Sequence, residues 1–156
     1  MSFQNKVNLE PAKGWHGDFA STNVRVSLLG DGCFQAGANG VQAGSFVWVD
    51  EATQTVVNTG EGVPAGFVGR ELTGVPAQYL EEASMNIPEG FMVTVYEKGE
   101  FLVALPEGKD AVKRGDTVCV DVSTGAVTVK GNILPTTYKY VSSAKGGDLV
   151  AISAWI

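Results

Sequence analysis

The sequence predicts an all-β fold, a sandwich or barrel of many short strands, and three observations carry that expectation. Twenty glycines cut the 156 residues into short runs rich in β-branched and aromatic side chains. No stretch of a dozen residues keeps apolar positions at the helical spacing of three and four. Turn residues recur at near-regular intervals, the pattern of sandwiches and barrels.

Taken in order, the first 22 residues differ in kind. Phe3, Val7, Leu9, Trp15 and Phe19 are separated by Asn, Pro, Lys and Gly, with neither a period of two nor of 3.6. A bare loop of that length is unusual inside a compact domain, so residues 1–22 read as an extended arm that docks its separate aromatics on a neighbour, or equally as a terminus that wraps its own domain. Residues 23–156 then form a single β-rich domain. Val24-Arg-Val-Ser-Leu-Leu29 and Val41 to Val49 read as strands around a Gly-rich loop, with Phe46 and Trp48 on one face. Asp50-Glu-Ala-Thr-Gln54 makes a polar turn into Thr55-Val-Val-Asn58. Only 77–84 has the composition of a short helix. Met92 to Glu97 and Glu100 to Leu105 flank Lys98-Gly99 as a hairpin stopped by Pro106, which cannot donate to a ladder. A second hairpin joins Thr117-Val-Cys-Val-Asp-Val122 to Ala126-Val-Thr-Val-Lys130 through Ser123-Thr-Gly125. Leu149 to Ile156 is a last apolar strand, expected in a sheet or an interface.

Composition narrows the function classes. The net charge of −6 opposes a phosphate backbone or an anionic lipid surface, and the one close basic pair is Lys113-Arg114, so neither nucleic acid nor membrane is an expected partner. The longest uncharged run, Gly32 to Val49, is broken by four glycines and does not read as a span. Charged residues make up 18%, below the usual quarter, which suits a surface pressed against other proteins. The opening Met1-Ser-Phe-Gln4 has no basic-then-apolar signal, which points to a reducing cytoplasm with Cys33 and Cys119 as two buried free thiols.

Chemistry finds few candidates. The single histidine, His16, would have to serve as the base of any His-dependent dyad. One His and two distant Cys supply too few ligands for a metal site. Gly30-Asp-Gly-Cys-Phe-Gln-Ala-Gly37 lacks the third glycine of a dinucleotide loop and is not followed by Gly-Lys-Ser/Thr. Arg114-Gly115-Asp116 matches an adhesion tripeptide but reads as a polar turn ahead of a strand. Glu81-Glu82 and Asp50-Glu51 are sequence neighbours that point apart. Ser84-Met85 and the segment after it resemble in part the Ser-Met segment of self-cleaving repressors and signal peptidases, where a buried lysine activates the serine; here Lys109 and Lys113 sit in a polar loop and Lys130 closes a hairpin. No catalytic residue, cofactor or metal is assigned.

One resemblance covers much of the chain. Met1-Ser-Phe-Gln-Asn-Lys-Val-Asn-Leu-Glu-Pro-Ala12, Gly17-Asp-Phe-Ala-Ser-Thr-Asn23 and Arg25 look like the start of the structural cement proteins encoded beside phage and prophage major capsid proteins. Ala36-Gly37, Gly40-Val41, Gly44, Phe46, Trp48-Val49-Asp50, Val56-Val57-Asn58, Gly66-Phe67-Val68, Tyr79-Leu80 and Ile87-Pro88-x-Gly90 continue it, while Gly115-Asp116, Thr124-Gly125 and Gly147-Asp148 resemble family turns more loosely. Val24 stands where that family carries proline. The resemblance implies a non-enzymatic capsid cement or decoration protein with a β-barrel or jelly-roll-like body and an extended N-terminal arm. It further implies that the chain is made in the bacterial host cytoplasm and held on the outer surface of a tailed-phage virion. The implied partners are the major capsid protein and further copies of the chain, as a homotrimer or homodimer. The arm residues Phe3, Asn5, Val7, Leu9, Trp15, Phe19 and Arg25 would carry the capsid and subunit contacts, each large apolar side chain contributing about 1.5 to 3 kcal/mol if fully covered. A receptor- or glycan-binding β-module, with Trp48 or Trp155 as a sugar platform, and the Ser84 self-processing protein are the other readings.

Overall fold

The computed structural model describes residues 7, 9, 11–71, 85–108, 111–129 and 133–156, and every regular element among them is a strand. The fold is all-β. In chain order the strands are β1 (Val26–Ser27), β2 (Gln35–Ala36), β3 (Val41–Gln42), β4 (Ser45–Asp50), β5 (Thr55–Val57), β6 (Gly66–Val68), β7 (Asn86–Ile87), β8 (Tyr96–Lys98), β9 (Glu100–Ala104), β10 (Thr117–Asp121), β11 (Val127–Thr128), β12 (Ile133–Tyr140) and β13 (Leu149–Ser153). They build a six-stranded sheet in the order β1-β8-β6-β4-β5-β2, a five-stranded sheet β11-β10-β12-β13-β9, and the pair β3-β7.

β4 explains why the interior has two parts. Side chains alternate across a strand, and Phe46 and Trp48 enter one buried cluster while Val47 enters another. β6 repeats the division, with Phe67 in the first cluster and Val68 in the second. Both faces of these strands are therefore covered, which is why Ser45-Phe-Val-Trp48 is an unbroken buried run instead of an in-and-out alternation. The first cluster is shared with the five-stranded sheet through Phe101, Val120, Tyr138 and Ile152. Its centre is aromatic: Phe67 lies 4.5 Å from Phe101, and Phe46 lies 5.1 Å from Phe67 and 5.4 Å from Tyr138 between ring centroids. The Tyr138 hydroxyl donates to the Tyr96 carbonyl at 3.2 Å, so a phenol in this core keeps a partner. The second cluster closes over the opposite face of β4 with Phe34, Val41, Val56, Val93 and Val95.

Local turn chemistry accounts for two hairpins, one at the polar turn expected over 50–54 and one the hairpin that the sequence predicts over 117–130. β4 and β5 pair antiparallel through Trp48↔Val57 and Asp50↔Thr55, around a turn where Asp50 Oδ1 accepts the Ala52 N–H at 3.0 Å. β10 and β11 pair through Cys119↔Thr128 and Val120↔Val127, and Asp121 Oδ1 accepts both the N–H and the hydroxyl of Ser123 in their turn. Gly125 ends that turn at φ 70°, its carbonyl accepts the Phe46 N–H at 2.8 Å, and a Cβ there would strike the Phe46 carbonyl. The hairpin thus pins the five-stranded sheet to β4.

The structure corrects three expectations. Met92 to Leu105 is not a hairpin: β8 pairs with β1 and β6 in the six-stranded sheet, and β9 pairs along its length with β13 in the other. The chain changes sheets at the buried Gly99, because Val93 and Val95 belong to the second cluster and Phe101 and Val103 to the first. Both cysteines are free, as expected, but Cys33 is exposed in the β1–β2 loop and Cys119 is half-buried. The last strand stops at Ser153, paired with both β9 and β12, and leaves Trp155 and Ile156 half-exposed. The short helix expected over 77–84 lies outside the described residues.

Candidate interaction surface

Residues 15–20 run antiparallel to β9, the edge strand of the five-stranded sheet. The Gly17 N–H donates to the Leu102 carbonyl at 2.7 Å, the Leu102 N–H to the Asp18 carbonyl at 2.8 Å, and the Ala20 N–H to the Glu100 carbonyl at 3.0 Å. This covers an edge that would otherwise present unpaired amides. The segment is also locked from the other sheet. The Arg70 N–H donates to the Gly17 carbonyl at 2.7 Å, and the Arg70 guanidinium pairs with Asp18 Oδ1 at 3.0 Å. Asp18 Oδ2 in turn accepts the Trp15 N–H at 2.8 Å. Gly17 has φ 86°, and a Cβ there would lie 3.0 Å from the Gly44 Cα and 3.1 Å from the Arg70 Cβ, so only glycine fits between these walls.

His16 is seated between Gly44 and β9. Its Nδ1 accepts the Ala104 N–H at 3.0 Å, which requires the neutral ring with its proton on Nε2. Burial pushes its pKa below 6.5, against a smaller opposite pull from a hydrogen bond to the Gly44 backbone. The one histidine is therefore a strut, not a base beside a nucleophile. Near it, the Glu100 carboxyl is held below its ordinary range mainly by the Ser21 hydroxyl, with Ser153 and Asn23 adding further hydrogen bonds. Tyr96 is pushed up to about 12 by burial and by its bond to Glu71.

The arm residues are divided by this geometry. Phe19 packs on the chain's own body, 5.6 Å from the rings of Tyr96 and Phe101, with the Arg25 guanidinium carbon 4.1 Å above it. Val7, Leu9 and Trp15 are 76%, 95% and 72% exposed. Phe3 and Asn5 lie outside the described residues, as does Ser84. Sequence reasoning misses Asp18, Arg70 and the role of His16, since nothing local says that Arg70 will meet Asp18 across 52 residues.

The remaining motifs resolve into structure. In the Arg114-Gly115-Asp116 turn, Asp116 Oδ2 accepts the Lys113 N–H at 2.8 Å and the Gly115 N–H donates to the Tyr140 carbonyl at 2.9 Å. Trp48 is buried and its indole N–H donates to the Gly62 carbonyl at 3.0 Å, so it offers no stacking face to a sugar. Trp155 is half-exposed with the Lys98 ammonium 5.3 Å from its ring. Among the described residues no three of His, Cys, Asp and Glu gather as a metal site. An open cleft of about 810 Å³ lies between the loop after β1 and the β4–β5 turn, walled by Leu28, Phe34 and Val49 and rimmed by Leu29, Asp31 and Glu51.

The family described as XM1 gp53 minor capsid protein matches residues 3–154. The chain belongs to this family. As a member of the minor capsid protein family it is a phage capsid structural protein, and its place is the virion. A chain in the solved capsid of Myoviridae phage XM1 has the same fold, with a TM-score of 0.64 over 99% of this chain and 98% of that one at 18% identity. No curated protein matches by sequence.

Proposed function

We propose that this minor capsid family member is a cement protein: it binds the outer surface of a tailed-phage capsid after synthesis in the bacterial cytoplasm and stabilises the shell without catalysis. Its partners are the major capsid protein and further copies of itself, as a homotrimer or homodimer. Residues 1–22 are the arm and 23–156 the body. The observation that carries this reading is the contrast within the arm. Val7, Leu9 and Trp15 are large apolar side chains left in water, and they precede a segment whose root is held on β9 by backbone pairing and the Asp18–Arg70 pair. A tethered segment of that kind gains binding energy only when a partner covers it. Phe19 and Arg25 set the arm's root, and Phe3 and Asn5 belong to the same contact.

The test is cosedimentation of the purified protein with expanded capsids that lack it, followed by heating of the particles. Saturable binding with a raised melting temperature is expected, because a ligand bound only to the intact shell must stabilise it. Protein that stays in the supernatant at every concentration, and capsids that melt unchanged, would overturn the reading.

A further inference from the structure

Two surfaces of this chain are complementary to each other, and each is exposed among the described residues. The first lies where the chain enters β1 and where β13 ends. Val26 pairs with Lys98, the Ala154 N–H donates to the Gly99 carbonyl at 3.1 Å, and the Lys98 ammonium stands over the Trp155 ring. This brings Val24, Lys98 and Trp155 to one patch, with Val24 74% and Trp155 46% exposed. The patch carries one cation, the Lys98 ammonium, which forms no ion pair with a described residue, and the neighbouring Glu100 carboxylate is engaged by Asn23 and Ser153. The second surface is the cleft beyond the other end of β1. Its rim carries Leu29, 93% exposed, and the exposed carboxylates of Asp31 and Glu51, which make no ion pair or hydrogen bond with described residues.

We propose that copies of this chain associate patch to cleft, the Val24, Lys98 and Trp155 surface of one copy seating against Leu29, Asp31 and Glu51 of the next. Charge complementarity selects the occupant. A cation beside an indole needs an acidic, partly apolar counterpart, and this chain itself presents one; the apolar members supply the desolvated centre and the charges the register. A second copy also accounts for both surfaces at once, since a contact between two different patches uses each of them on every subunit. The proposal deepens the homo-oligomer reading by naming its surfaces, and it stands apart from capsid binding.

The test is sedimentation velocity on the full chain across a concentration series, with circular dichroism to verify that each variant is folded. Wild type is expected to self-associate. Lys98→Glu and Glu51→Lys each place like charges in the contact and should raise the dissociation constant about a hundredfold, and Trp155→Ala about tenfold. An equimolar mixture of the two charge variants, and the double variant, should reassociate, because both restore opposite charges across the contact. Wild type that stays monomeric, single variants that assemble like wild type, or a mixture that stays apart would each overturn the proposal. If Lys98→Glu loses capsid cosedimentation while wild type is monomeric, the patch faces the shell and the proposal fails, with the cement reading intact. Unchanged cosedimentation alongside the expected oligomer results supports it.

Discussion

Gly125 turns the β10–β11 hairpin at a positive φ with its carbonyl on the Phe46 N–H and no room for a Cβ against the Phe46 carbonyl. Gly125→Ala should therefore cost about 2 kcal/mol or more, combining backbone strain with displacement of β4; urea unfolding measures this, and full retention of stability would show that the turn can move. His16 sets a pH dependence. Its folded pKa lies below 6.5 because burial disfavours the charged ring, the form that could not accept the Ala104 N–H at Nδ1. The stability from this seat is complete above 6.5, where the unfolded chain is also neutral, and is lost as pH falls below 6.5 toward the depressed folded value. Glu100, held below 4.5, is lost only at lower pH. Thermal melts should fall between pH 7 and pH 5, and His16→Gln, which keeps an acceptor without a proton to gain, should flatten that fall. An equal fall in both proteins would remove His16 as its cause.

At the scale of elements, the proposed arm divides into two parts whose roles can be separated by truncation. A chain lacking residues 1–14 loses Val7 and Leu9 but keeps the pairing of residues 17–20 with β9, so its melting temperature should be unchanged while capsid affinity drops. A chain beginning at Asn23 also loses Phe19, His16 and the Asp18–Arg70 pair. It should still fold, yet with an uncovered β9 edge and lower stability, mostly from Phe19 burial and the backbone pairing, since a part-exposed ion pair adds at most about 1 kcal/mol. Comparing the two truncations by melting and by cosedimentation separates the clamp from its root. Full capsid occupancy by the shorter truncation would refute Val7 and Leu9 as contacts.

For the whole molecule, the central fact is that β4 and β6 are buried on both faces. Phe46→Ala and Val47→Ala touch opposite clusters, and each should destabilise the fold, by about 3 to 5 and about 2 kcal/mol respectively. Denaturant midpoints would read this; a tolerated Val47→Ala would mean the second cluster is dispensable.

What the sequence determined by itself was local and periodic. The all-β class, the polar turn between β4 and β5, the β10–β11 hairpin, and the shared face of Phe46 and Trp48 followed from alternation and turn residues acting over a few positions. The aperiodic spacing of the first 22 residues set them apart from the strands but left open what they pack against. Tertiary structure alone decided the rest. Met92 to Leu105 has the pattern of a hairpin, but pairing partners are chosen by which cluster each side chain can fill, and that sent β8 and β9 to different sheets. The same holds for the arm. Whether Phe19 faces a neighbour or its own β9, and whether His16 is a base or a strut, depends on Arg70, Gly44 and Ala104, brought together from distant positions by long-range packing that no local spacing encodes.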